Sequence, residues 1–377
     1  MGYYSFNDER EDIEGILENA LSSSQYGLQC NFDFPKPAVY KVPQIYDEKV
    51  EKLSIENMGD ICRDFVDYVR EKDENIVCDV SCETDTSITE IVNHNGLASG
   101  YKKTGYYFAV WIRKKAGDRV LSIYDTGRYI QLKEMYFLAD QLLEEISWGV
   151  REVYLENRKP FYPILLSPSV LNYFLGTLLA MVCAQTIENE ESILKDKIGQ
   201  QVLSKNISIY DDGVSDWLMK SSPFDDEGVA TGVTPIIEKG VFKNFIADLN
   251  YSSRMNTKPT GNGRKVNGRT MTYNNNIVIK SDDSIQYREI MANMQEGIFV
   301  GTALVNCNIR GDFIIMPKNS YLIQNGEIVG MLKNAFRING NIFQLLNNIL
   351  AISEERKITK YDMLLPYVFT TGSKIIW

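Results

Sequence analysis

The chain has 377 residues, 44% hydrophobic and 24% charged, the balance of a soluble globular protein long enough for two domains. Forty lysines and arginines face fifty acids, a net charge of −10, which argues against nucleic-acid binding through bulk charge. There is one histidine, His94, so the chain alone cannot build a zinc site on two imidazoles, and a Ser-His-Asp triad would need His94 as its base.

The chain opens polar and acidic, MGYYSFNDEREDIEG, without the apolar segment of a secretory leader. Residues 7–23 predict an amphipathic helix with Ile13, Ile16, Leu17 and Leu21 on one side. An extended proline-containing stretch, 32–43, precedes a second helix over 54–73, started by Ser54 and burying Ile61, Phe65, Val66 and Val69. The period then changes. IVCDVSCETD, SITEIVNHNG, TGYYFAVWIRKK and RVLSIYDTGRYIQ predict an antiparallel meander packed on the helices, with Asn93-His94-Asn95-Gly96 as a turn. A further helix is expected over 132–158, with Met135, Leu138, Ala139, Leu142 and Ile146 inside.

Pro160 and Pro163 mark a boundary, giving an N-terminal α+β domain (1–159) and a β-rich C-terminal domain (160–377). YPILLS predicts a strand, Ser167 an N-cap and Pro168 a first helical residue. The helix that follows is apolar nearly all round and should be buried; its 15-residue run (170–184) falls short of the roughly 20 that span a bilayer. Beyond residue 200 strands and turns dominate, with hairpins at Lys239-Gly240 and Asn325-Gly326. The six cysteines (30, 62, 78, 82, 183, 307) have no framework spacing, and Cys78 and Cys82 would lie ~13 Å apart on a strand. Reduced thiols and a cytoplasmic location are the expectation.

Asp225, Asp226 and Glu227 stand in a row before Gly228. A metal site, a partner or substrate contact, and the start of a hairpin are the candidate roles, and side chains alternating along a strand favour the hairpin. Downstream, Thr260-Gly261-Asn262-Gly263-Arg264 allows positive φ and close backbone approach, suited either to lining a peptide channel or to turning a corner. Arg264, Lys265 and Arg269 make a local basic patch or a solvated loop. The second domain would suit capture of an extended peptide at an exposed strand edge.

These segments resemble the TldD/PmbA family. The resemblance rests on FDDEGV (224–229), IIEKGVFKNFIADLNYSSRM (236–255), PTGNGR (259–264), LKDKIGQQV (194–202), GDFIIMPKNSYLIQNGEIV (311–329), GNIFQLLNNILAIS (340–353, expected as a closing helix) and, upstream, NHNGLASGYKKTGYYFAVWI (93–112). It covers roughly residues 25–377. The resemblance implies a zinc metallopeptidase system, also described as a modulator of DNA gyrase, working as a heterodimer of a TldD and a TldE (PmbA) subunit. It also implies that the acidic stretch introduces a hairpin. A TldD-type subunit carries HExxxH on the helix after the first strand of the second domain. Here that helix is SPSVLNYFLGTLLAMVCAQ (167–185), with Gly176, Thr177 and Met181 in place of the two histidines and glutamate. No residue of 164–184 is His, Glu or Asp. The third ligand of the TldD type is a C-terminal cysteine; Cys307 stands in a different motif context and reads as a small core residue.

The resemblance therefore implies a TldE/PmbA-like, non-catalytic subunit with no metal or cofactor of its own. Zinc would be held by an HExxxH-bearing TldD-like partner, and the pair would process peptides. The alternative is a stand-alone binding or regulatory protein without peptidase activity. Relatives usually begin with a further strand-rich segment, so the N-terminal domain is expected to be shortened.

Overall fold

The computed structural model describes residues 12–27, 30–266, 269–359 and 361–377. Helices α1 (Ile13–Ser24), α2 (Glu48–Glu51) and α3 (Ile55–Lys72) precede strands β1 (Ile76–Val92), β2 (Ala98–Ala116) and β3 (Arg119–Tyr129). Then come α4 (Tyr136–Trp148), β4 (Glu152–Val153), β5 (Ile164–Leu166), α5 (Pro168–Val182) and α6 (Ala184–Glu188). The rest runs β6 (Ser208–Asp212), β7 (Val233–Glu238), β8 (Val241–Phe242), α7 (Leu249–Arg254), β9 (Gly263–Val266), β10 (Arg269–Thr272), β11 (Asn276–Lys280) and α8 (Tyr287–Ala292). It closes with β12 (Glu296–Cys307), β13 (Asp312–Gln324), β14 (Glu327–Leu332), β15 (Arg337–Asn341), α9 (Ile342–Asn347), β16 (Ile349–Ile358), β17 (Met363–Thr370) and β18 (Lys374–Ile376). The fold is mixed α+β.

β1, β2 and β3 form the expected antiparallel meander. The Asn93 carboxamide oxygen accepts from the amides of Asn95 (2.9 Å) and Leu97 (3.2 Å), and Gly96 takes φ +85°, which closes the β1–β2 turn. α3 and α4 cover one face. Phe65, Val69, Leu138, Leu142 and Ile146 meet Phe108, Val110, Ile112, Leu121 and Ile123 in one core. Each such side chain contributes roughly 1.5–3 kcal/mol on burial.

The remaining strands, except the β9–β10 hairpin, join a 13-stranded sheet whose main path runs β18-β15-β13-β12-β5-β17-β11-β6-β7-β8. α5 lies on one face. Its N-cap Ser167 accepts from the Val170 amide at 3.3 Å and donates to the Gly301 carbonyl at 2.6 Å, tying the helix start to β12. Phe174, Leu175, Leu178 and Val182 are fully buried, and Phe174 meets Phe313 edge-on at 4.8 Å. The opposite face carries a smaller core of Leu165, Phe299, Tyr321, Ile290 and Ile323, flanked by Trp148.

Several elements differ from expectation. Residues 7–11 of the proposed opening helix lie outside the described residues, and α1 buries none of its side chains. β1 is one strand where the sequence suggests two, because the polar 84–89 stretch keeps pairing with β2 without a break. The helix expected over 132–158 stops at Trp148, since Glu152 and Val153 pair with Met331 and Leu332 instead. The closing helix is only Ile342–Asn347; the next residues pair with β17. α5 is not covered all round: Tyr173, Gly176 and Ala180 form an exposed stripe with the half-buried Thr177. Among the described residues no helix is long and apolar enough to cross a membrane.

Candidate functional site

The acidic stretch and the TGNGR loop fold onto each other. The Asp225 carboxylate accepts from the amides of Glu227 (3.0 Å), Val229 (2.9 Å) and Gly263 (2.8 Å). The local pair is an Asx turn, which the Asp-Asp-Glu-Gly order encodes. The Gly263 contact joins two segments far apart in sequence. Asp226 accepts from the Lys265 amide at 2.7 Å and lies 3.5 Å from Arg264. Arg264 also donates to the carboxamide oxygen of Asn275 (2.7 Å) and the Ser222 hydroxyl (3.2 Å). Thr260 donates to the Asn262 side-chain oxygen at 2.6 Å and accepts from the Ala247 amide at 2.8 Å.

Beneath the loop lies Asp211, fully buried on β6. It accepts from the Asn262 side chain (2.9 Å), the Asn275 side chain (2.9 Å) and the Asn275 amide (2.6 Å). Glu227 accepts from the Leu249 amide at 2.8 Å. Asp248 caps α7 through the Tyr251 amide at 2.8 Å and accepts from the Thr272 hydroxyl at 3.1 Å. Burial pushes Asp211 and Asp225 up to about 6 and Glu227 up to about 8; neighbouring carboxylates add to the rise at Glu227. Burial also raises Asp248.

The carboxylates are therefore committed to backbone amides and asparagines. Among the described residues no group of three His, Cys, Asp or Glu side chains is placed to hold a metal ion. The arrangement is a buried polar knot that fixes three loops, and Asn262 at 0% exposure is inside it. Gly261 has φ +72°, as the sequence suggests, but Gly263 is absent from the positive-φ glycines. Its requirement is space: a Cβ there would lie 2.3 Å from a Glu227 carboxylate oxygen. Asp211, Asp248 and Asn275 escape the sequence reading, although the Asp211-Asp212 and Asn274-Asn275-Asn276 runs were visible.

The α5 window lies elsewhere. Gly176 and Thr177 are on its outer stripe, with nothing within 4 Å of a Cβ placed at Gly176, whereas Met181 is fully buried. Cys307, read as outside this context, is brought beside Thr177, and it is half-buried rather than a core residue. Burial raises its thiol pKa. A glycine, a threonine, an inward-turned thioether and one protonated thiol do not fit a zinc ion, which takes deprotonated sulfur, imidazole or carboxylate donors. His94 belongs to neither set of contacts; it sits edge-on to Phe34 at 6.2 Å in the β1–β2 turn, whose Leu97 lies against Gly228 at the end of the acidic stretch.

The whole fold is similar to the crystal structure of TldE from Thermococcus kodakarensis, with a TM-score of 0.91 and 22% identity over 98% of this chain and 86% of that one. In sequence, an uncharacterized protein of Methanocaldococcus jannaschii is 29% identical over 85% of this chain and 75% of its own length. A metalloprotease of the same organism is 28% identical over 52% of this chain, a region that is 44% of that protein. The family model described as the PmbA/TldA metallopeptidase C-terminal domain matches residues 159–376. With more than half of its length in that match, the chain belongs to the PmbA/TldD metallopeptidase family.

Proposed function

We propose that this chain is a TldE/PmbA-like subunit without a zinc site of its own, paired with an HExxxH-bearing TldD-like subunit in a cytoplasmic heterodimer that processes peptides. The observation that carries this reading is the α5 window, where a family helix presents Gly176, Thr177 and an inward Met181. A chain with those residues cannot polarise a water through zinc. It can serve proteolysis by completing another protein's chamber. The exposed Tyr173, Gly176 and Ala180, with half-buried Thr177 beside them, support this, because the small residues among them allow close approach of a second surface.

The TGNGR loop and Asp225–Asp226 would then shape the chamber wall indirectly, by holding the β9–β10 hairpin. Gly261, Asn262 and Asp225 are buried and act through backbone position, whereas Thr260, Arg264 and Asp226 keep partial access to a ligand.

The experiment is to purify the chain without chelator, measure zinc, and mix it with a TldD-like subunit. Less than stoichiometric zinc, a one-to-one complex and peptidase activity that needs both chains are the expected results. One tightly held zinc with chelator-sensitive cleavage by this chain alone would overturn the reading. Full activity of the catalytic subunit alone, unaltered by this chain, would leave the stand-alone regulator in its place.

A further inference from the structure

A cleft of about 460 Å³ lies on the face of the large sheet opposite α5. Five consecutive residues of β3, Arg119 to Ile123, form one wall; Glu145 of α4 and Asn319 and Tyr321 of β13 face them. β3 is the last strand of its sheet and pairs with β2 alone among the described residues. The β2–β3 hairpin closes on the pair Ala116–Arg119 around Gly117-Asp118. In a two-residue hairpin the closing pair is hydrogen-bonded, so main-chain groups of Val120, Ser122 and Tyr124 point to the open edge. An edge of this kind is a template for another strand.

The second observation is the carboxylate in the cleft. Among the described residues Glu145 has one side-chain hydrogen bond, from the Tyr321 hydroxyl at 3.5 Å, and no ion pair. The cations nearby are already used. Arg119 pairs with Glu152 at 3.2 Å, and Arg288 pairs with the adjacent Glu144 at 3.0 Å. A half-buried carboxylate with no ion-pair partner is costly, and a cationic ligand removes that cost.

We propose that this cleft binds an extended peptide segment, which adds to the edge of β3 and places a lysine or arginine side chain against Glu145. Main-chain bonds supply the affinity, and Glu145 selects a basic residue. The inference takes from the proposed function only that the ligand is a peptide, and it needs no partner subunit. Unlike the capture expected from the sequence, the edge belongs to the N-terminal sheet.

The groups around Glu145 are the tyrosines Tyr321 and Tyr367, the adjacent Glu144 with its partners Arg288 and Tyr287, and Arg119 on the other wall of the cleft, paired with Glu152. Tyr321 and Tyr367 are raised by burial, so the carboxylate is the group that titrates near neutrality. Burial pushes Glu145 up to about 7. A bound cation favours its ionised form, so below that pH binding releases a proton and affinity rises with pH.

The test uses the isolated full chain and fluorescent acetyl-Ala-Lys-Ala-Lys-Ala amide, with glutamine and backbone N-methylated versions as controls. The lysine peptide should bind at least about tenfold more tightly than the glutamine peptide, the scale of one charge-assisted contact. Glu145→Gln should abolish that difference and its pH dependence. Val120→Pro removes an outward amide without touching the β2 ladder, so the fold should persist while the lysine and glutamine peptides both bind more weakly. Equal binding of the two peptides, or an unchanged preference in Glu145→Gln, overturns the charge recognition. If butylammonium binds as tightly as the peptide, and neither N-methylation nor Val120→Pro weakens binding, the site is a small-amine pocket and the strand addition is wrong. Because no catalytic partner enters this assay, its outcome is independent of heterodimer formation.

Discussion

Glu227 shows how one buried acid couples stability to pH. Its pKa of about 8 lies above the unfolded value, so the folded chain holds a proton that the unfolded chain has already released. That contribution is fully present below about pH 4.3 and is lost as pH rises through the folded value. The wild-type melting temperature should therefore fall between about pH 6 and pH 9, and Glu227→Gln should flatten the fall while keeping an acceptor for the Leu249 amide. An equal slope in both proteins, followed by calorimetry, would remove Glu227 from the account. Gly263→Ala places a methyl 2.3 Å from the same carboxylate. It should cost about 1–3 kcal/mol in urea unfolding, as overpacking does elsewhere. Positive φ at Gly263, the reason suggested by the sequence, plays no part.

Among the elements, α1 and α5 are opposites. The apolar stripe of α1 is exposed, with Ile13 at 75%, Leu17 at 63% and Leu21 at 71%. Leu17→Ala or Leu21→Ala in the isolated chain should shift stability by less than about 0.5 kcal/mol. Leu175→Ala inside α5 should cost roughly 2–5 kcal/mol, because the fully buried site cannot refill. Ser167→Ala should cost about 1–2 kcal/mol, since both the cap and the bond to the Gly301 carbonyl go. Denaturant titrations of the four variants check the ranking. The caps and hairpin turns were legible: Ser167-Pro168, Lys239-Gly240 and Asn325-Gly326 all occupy the predicted places, with positive φ at both turn residues of each hairpin. The ends of α4 and α9 were not, because their last predicted turns enter strands instead, beside β14 far along the chain for α4 and beside the next strand, β17, for α9.

Across the whole molecule, polar pairs tie the three-stranded sheet to the large one. Lys357 of β16 bonds Asp125 of β3, and Arg128 bonds Asp362 at 3.0 Å. Lys103 of β2 donates to the carbonyls of Met219 and Ser221. Lys357→Met would leave Asp125 facing the seam without its cation. A loss of about 1–3 kcal/mol is expected, below the fully buried case because both side chains keep some water contact. Adding Asp125→Leu should recover much of it. If the double variant is as unstable as the single one, the pair is not what holds the seam.

What the sequence by itself determined is local or compositional. Hydrophobic period and capping residues set the helices and the meander, a single histidine and the apolar 167–185 helix removed the two-imidazole zinc site, and spaced motifs pointed to the family. Only the tertiary structure decided what Asp225 and the TGNGR loop touch. Their partners are 38 residues apart along the chain, and Asp211 is a further 51 residues from Asn262. It alone brought Cys307 beside Thr177 and set Glu145 in a cleft against an open strand edge. Neither placement leaves a periodic trace, because each depends on which distant element packs against the residue and on the water that packing excludes.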